Sequence, residues 1–146
     1  MYPIALHAHS AFRWIVLILL VTSVLIALLN KNKELKNNIA EKKVFLYTMM
    51  FTHLQFVFGL LLYFISPKVV FTSEAFKNTI TRFFLAEHSL IMIIAITFIT
   101  IGYSKFKRTA SQIKARKTVL LFYLMGLVLI LAGIPWPFRG LGSGLF

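Results

Sequence analysis

Cysteine is absent from this 146-residue chain, which excludes disulfides, thiolate metal ligands and covalent haem attachment through a Cys-x-x-Cys-His motif. Any metal is left to nitrogen, oxygen or methionine sulfur. Charge is scarce too: 14% of residues are charged against 59% hydrophobic, with a mean hydropathy of +0.83. That is too little polar surface for a water-soluble globule, so the composition reads as an integral membrane protein. The sequence also lacks a glycine-rich phosphate loop, paired carboxylates inside its apolar runs and a His-Glu-x-x-His protease motif. No carboxylate is placed to complete a hydrolase triad. These absences argue against hydrolytic chemistry and leave open whether the chain is an enzyme of another kind.

Four apolar runs are present, roughly 10–29, 44–66, 83–103 and 118–135. Each reaches the ~20 residues that a helix needs to cross a ~30 Å hydrocarbon core. Backbone satisfaction in lipid makes them helices. The alternating pattern of a barrel strand is missing, since Ile15 to Leu20 and Val119 to Leu124 are apolar at consecutive positions. Short connections predict an all-α, four-helix up-down bundle in a single transmembrane domain spanning 1–146. Inverted-repeat transporter architecture needs more helices than these.

The net charge of +12 is unevenly placed. Lys31, Lys33, Lys36, Lys42 and Lys43 fall in the first connection, and Lys105, Lys107, Arg108, Lys114, Arg116 and Lys117 in the third. The other side holds only Arg13, Lys68, Lys77, Arg82 and Arg139. By the positive-inside rule, connections one and three face the cytoplasm and both termini face outward, in a multi-pass membrane protein. Attraction to anionic headgroups accounts for the charge. No folded reading module accompanies it, so nucleic acid is not an expected partner. Trp14 and Trp136 fall at the expected outer interface, and Pro135 and Pro137 stop the last helix there. The first run lacks the basic lead and small-residue cleavage site of a signal peptide, and is expected to remain as an anchor.

All four histidines lie in or at the mouth of these runs: His7 and His9 at the first, His53 inside the second, His88 early in the third. An ionisable residue at membrane depth is by default a functional candidate. Counted from the lysine-rich ends at ~1.5 Å per residue, His9 stands about 31 Å up, His88 about 25 Å and His53 about 14 Å. His9 and His88 therefore lie near one level on the outer side, and His53 roughly 10 Å deeper. Two imidazoles that bind one iron need one level, which favours His9 with His88. His7 stands about 200° from His9 on a helix and is the alternative ligand or a surface residue. Arg13 shares the face of His9, and Glu87 adjoins His88. They are read either as an Arg-Glu clasp or as functional groups, Arg13 for haem propionates or an anionic substrate and Glu87 for protons or metal. His53, on the stripe Met49, His53, Phe56, Leu60 and Phe64 with Gly59 nearby, is either a second haem or quinone contact or a neutral imidazole bonded to a neighbouring helix. Gly126 and Gly133 lie seven apart on one helix face, a spacing for close helix packing or for a flat macrocycle.

What survives is redox or metal chemistry. Haem b held by two histidines of facing helices suits a small membrane bundle. A bare site for zinc, copper or iron built from His7, His9, His88 and Glu87 is the competing form. A cofactor-free accessory subunit of a larger membrane complex is the third. The stretches His7-Ala8-His9-Ser10-Ala11-Phe12-Arg13-Trp14, Thr52-His53-Leu54-Gln55, Ala86-Glu87-His88-Ser89 and Pro135-Trp136-Pro137-Phe138-Arg139 resemble those of small bacterial four-helix membrane proteins labelled cytochrome-b-like. The layout is more distantly similar to copper-resistance-type and membrane protoporphyrinogen-oxidase-type proteins. The resemblance implies haem or metal at the histidines, electron transfer, and a membrane redox partner or quinone. Tyr103 stands where a histidine is expected in some relatives, which speaks against a second haem on the inner side.

Overall fold

The computed structural model describes residues 1–34 and 38–141; Lys36 of the first basic connection lies outside them. Four long helices, α1 (Tyr2–Asn30), α2 (Ile39–Ile65), α3 (Thr79–Arg108) and α4 (Gln112–Gly133), are each long and apolar enough to cross a membrane. Their most apolar windows have mean hydropathies of 2.6, 1.6, 2.0 and 1.8. Two 3₁₀ turns, Ser73–Lys77 and Pro137–Arg139, sit in the connection after α2 and after α4.

The helices outrun the apolar stretches that mark them, because hydropathy marks the lipid-soluble part and capping marks the end. In α1 a proline in the first turn costs nothing, since the first N–H groups lack helical partners anyway. The helix therefore starts at Tyr2 and takes in both His7 and His9. Asn38 begins α2 by accepting from Glu41 N, Asn78 begins α3 by accepting from Ile80 N and Thr81 N, and Ser111 begins α4 by accepting from Lys114 N. At the far ends, Ser66 before Pro67 and Ile134 before Pro135 take the extended backbone that proline imposes on its predecessor. The last helix thus stops at Gly133, two residues short of the expected 135.

Consecutive helices pack side by side, and α1 packs on α4 to close the ring. Leu20, Ala27, Phe45, Ala95, Ile99, Val119 and Tyr123 are fully buried at its centre. Gly126 lets α3 approach: a Cβ there would sit 2.7 Å from Ile99 Cγ1. Gly133 does the same opposite Ile91 and Met92, so both glycines serve helix packing. Polarity is turned inward. Ser23, Thr48, Thr52, Glu41 and Arg116 are buried, while Ile18, Leu29, Val57, Phe64, Leu121 and Val128 stand outside. Ser23 and Thr48 hydroxyls meet at 2.7 Å, and the Tyr123 hydroxyl donates to Phe45 O at 2.8 Å.

Arg116 is a particular case. Read from sequence as one more loop cation, it is fully buried in the first turns of α4, its Nε 2.6 Å from Glu41 Oε1 and its Nη1 donating to Lys33 O at 2.7 Å. Asn30 Nδ2 donates to the other oxygen of Glu41 at 3.3 Å. Three helix ends meet in this pair.

Candidate functional site

Above the packed centre the helices part around a cavity of about 420 Å³. Val16, Ile96 and Ile130 are among its lining residues, and polar groups arrive from three helices: His9, Ser10 and Arg13 from α1, Thr52 and Gln55 from α2, His88 and Ser89 from α3. Lys68 reaches it from the connection after α2. His9 and His88, which sequence depth counting places at one level, thus line one cavity.

His88 is set by a defect in its helix. Residues Phe83–Glu87 form a π turn, one residue wider than an α turn, so His88 N–H bonds to Phe83 O. Five-residue spacing now replaces four. Ser89 Oγ donates to Phe84 O at 3.2 Å, and the Tyr63 hydroxyl of α2 reaches Leu85 O at 3.2 Å. Past this turn the His88 ring lies against Phe83 and Phe84, with centroids 5.8 and 6.2 Å away. Its Nδ1 donates to Gly133 O of α4 at 2.8 Å. A carbonyl only accepts, so the proton sits on Nδ1 and the Nε2 lone pair remains for a ligand. The missing side chain of Gly133 brings α3 near enough for this bond.

On the opposite wall His9 faces Gly59 of α2, where a Cβ would stand 3.2 Å from His9 Cε1. Gly59 thus leaves a slot for the ring. Gln55 Nε2 donates to His9 O at 2.9 Å, fastening α2 to α1 beside it. Among the described residues, His9 Nδ1 and Gln55 Oε1 are buried without a hydrogen-bond partner. An unfilled buried donor or acceptor costs about 1–3 kcal/mol, so the wall retains capacity for an occupant. Arg13 lies one turn further along α1, its guanidinium 5.5 Å from the Trp14 ring centroid. Trp14 in turn meets Trp136 edge-on at 6.4 Å.

The other candidate residues are elsewhere. His7 is exposed on the outer face of α1, as its angle from His9 requires. Glu87 pairs with Arg82 at 2.8 Å and is 43% exposed, so the alternative clasp with Arg13 is replaced by a local ion pair. The physical reason is the π turn, which stacks residues five apart. Among the described residues, no three of His, Cys, Asp or Glu gather as a metal group. His53 lies off the cavity, with Nδ1 donating to Met49 O at 2.8 Å and Nε2 at 3.3 Å from the Thr100 hydroxyl of α3. It is a bonded imidazole between helices. Its stripe faces largely outward, with Phe56, Leu60 and Phe64 at 36%, 46% and 68% exposure.

Sequence reasoning followed that stripe and missed the one beside it. Thr48, Thr52, Gln55 and Gly59 recur at four, three and four residues, the spacing of a single helix face. That face carries the bond to Ser23, the Gln55 contact and the slot for His9. Lys68 was read only as an outer-side charge, because a connecting segment gives no periodicity to follow.

Comparison with family models, curated proteins and solved structures returned no match for this chain.

Proposed function

We propose that this chain is a multi-pass protein of a bacterial inner membrane that binds haem b between His9 and His88 and serves electron transfer with a membrane redox partner or quinone. The observation that carries this is the shared cavity: imidazoles from two helices line it, one of them with its tautomer fixed by Gly133 O so that Nε2 is left to ligate. Bound there, haem supplies a one-electron couple tuned by its axial ligands and by burial. The chain's own residues then do the positioning. Gly59 and Gln55 seat His9, the π turn and Gly133 aim His88, and Phe84, Met92 and Ile96 keep water from the centre. A volume of about 420 Å³ falls within the ~300–1,000 Å³ of organic-ligand sites.

The fold is an up-down bundle with both termini on the outer side. Support for the course comes from the pairs Asn30 with Glu41, Ser23 with Thr48 and Gln55 with His9, which lie at falling numbers on α1 and rising numbers on α2. Support for the sidedness comes from the lysine-rich connections. The bare-metal form draws less support, since His7 points outward and Glu87 is held by Arg82.

The test is the visible spectrum of the protein purified in mild detergent, oxidised and then reduced, before and after addition of haem b. A Soret band with sharpened bands on reduction is expected. A colourless preparation that takes up no added haem sinks the proposal, and metal analysis of that sample then decides between a bare ion and a cofactor-free subunit.

A further inference from the structure

A helix in lipid has to satisfy its own carbonyls, and a π turn works against this: where bonding passes from five residues back to four, one carbonyl is skipped. In α3 two hydroxyls stand at that place. Ser89 Oγ donates to Phe84 O at 3.2 Å, and the Tyr63 hydroxyl, arriving from α2, donates to Leu85 O at 3.2 Å. A hydroxyl that folds back on a regular helix reaches four residues, as Thr97 does to Ile93 O and Thr100 to Ile96 O further along α3. Ser89 reaches five. Arg82 and Glu87 clasp across the same five-residue interval. Tyr63 is braced for its bond, since its ring meets Phe64 edge-on at 5.7 Å and Phe71 of the following connection at 5.4 Å.

The surplus residue is held between two fixed ends. Ahead of the turn, Asn78 caps Ile80 and Thr81, the Thr81 hydroxyl donates to Ala75 O at 2.8 Å, and buried Phe83 carries the Arg139 guanidinium 4.8 Å from its ring centroid. Beyond the turn, α3 packs along α4 with Ile99 against Gly126 and Met92 against Gly133. His88 stands at the joint, its N–H bonded to Phe83 O. One residue of register is ~100° of rotation, so relaxation of the turn to a regular helix carries the ring away from Gly133 O.

We propose that Tyr63 and Ser89 are positioning residues: their hydroxyls hold the π turn, and the turn holds His88 in the direction that bonds Nδ1 to Gly133 O and leaves Nε2 to the cavity. The use of this arrangement rests on the His9 and His88 site proposed above, whereas the register itself is read without haem.

The test takes full-length, haem-free protein in lipid nanodiscs with isotope-labelled histidine, whose ring-nitrogen resonances report which nitrogen carries the proton. His88→Gln assigns the signal. The unaltered chain is expected to show His88 in the Nδ1–H form alone. Tyr63→Phe and Ser89→Ala each lose that single form, with Nε2–H appearing beside it, while Ser89→Thr keeps it and the His53 signal is unchanged throughout. A role confined to stability lowers the melting temperature and leaves the His88 form alone. A single Nδ1–H form in Tyr63→Phe, Ser89→Ala and their double variant overturns the inference, as does a loss shared equally by His53 or by Ser89→Thr. Haem loading separates this from the proposed function. Variants that scramble His88 in a chain that takes up no haem uphold the register and sink the haem site, and a low-spin haem spectrum with His88 unmoved in the variants does the reverse.

Discussion

Arg116→Met is expected to lower stability by about 3–5 kcal/mol, the range for removing one partner of a buried ion pair. The magnitude follows from what is left behind. Glu41 is only 2% exposed, and without Arg116 its remaining side-chain bond is the 3.3 Å contact from Asn30. Lys33 O loses its 2.7 Å donor as well, at about 1 kcal/mol. Because both partners are essentially without solvent, no screening discount applies. Thermal unfolding in detergent, followed by circular dichroism, should show a midpoint shift on the order of 10 °C. The double variant Glu41→Met with Arg116→Met is the sharper half of the test. Replacing both charges with apolar groups of similar length removes the stranded carboxylate, so the double variant should be more stable than Arg116→Met alone. Single-variant losses below about 1 kcal/mol, or a double variant that loses the full sum of both, would refute the view that this pair fastens three helix ends.

Tyr123→Phe removes only the hydroxyl bond to Phe45 O and should cost about 0.5–1.5 kcal/mol in the same unfolding assay. Gly126→Ala places a Cβ 2.7 Å from Ile99 Cγ1 and should cost about 1–3 kcal/mol by forcing α3 from α4, whereas a neutral result would mean that the interface has slack. The absence of native cysteine makes topology readable with single introduced ones. Lys77→Cys should react with an impermeant maleimide in intact cells and Lys107→Cys only after permeabilisation, and the opposite pattern would invert the proposed orientation.

The four spans were legible because runs of about twenty mostly apolar residues match the length of helix that crosses a hydrocarbon core. Their ends were less so. Asn38, Asn78 and Ser111 extend the later helices into polar sequence that a hydropathy reading assigns to connections, and Pro3 lets α1 begin ahead of its apolar run. The level shared by His9 and His88 was readable by counting rise per residue, and the separation of His7 from His9 by counting angle. The partner of Glu87 was not, because a π turn moves the neighbour from four residues to five and leaves no mark that spacing rules detect. Arg116 misled for a related reason. Its place among lysines suggested a solvated charge, and only closure of the four-helix ring, which sets the first turns of α4 across from those of α2, brings Glu41 to it. The wall of the cavity was half-visible in the run Thr52, Gln55 and Gly59, whereas Lys68 joins it through a connection that no periodic pattern describes.

The central claim concerns two particular imidazoles, and the most direct measurement is the visible spectrum of haem-loaded protein bearing His9→Ala, His88→Ala or His53→Ala beside the unaltered chain. The unaltered protein and His53→Ala are expected to give the low-spin spectrum of two-histidine ligation, and His9→Ala and His88→Ala to lose it. Loss confined to His53→Ala, or retention in both of the other variants, would contradict a site between His9 and His88.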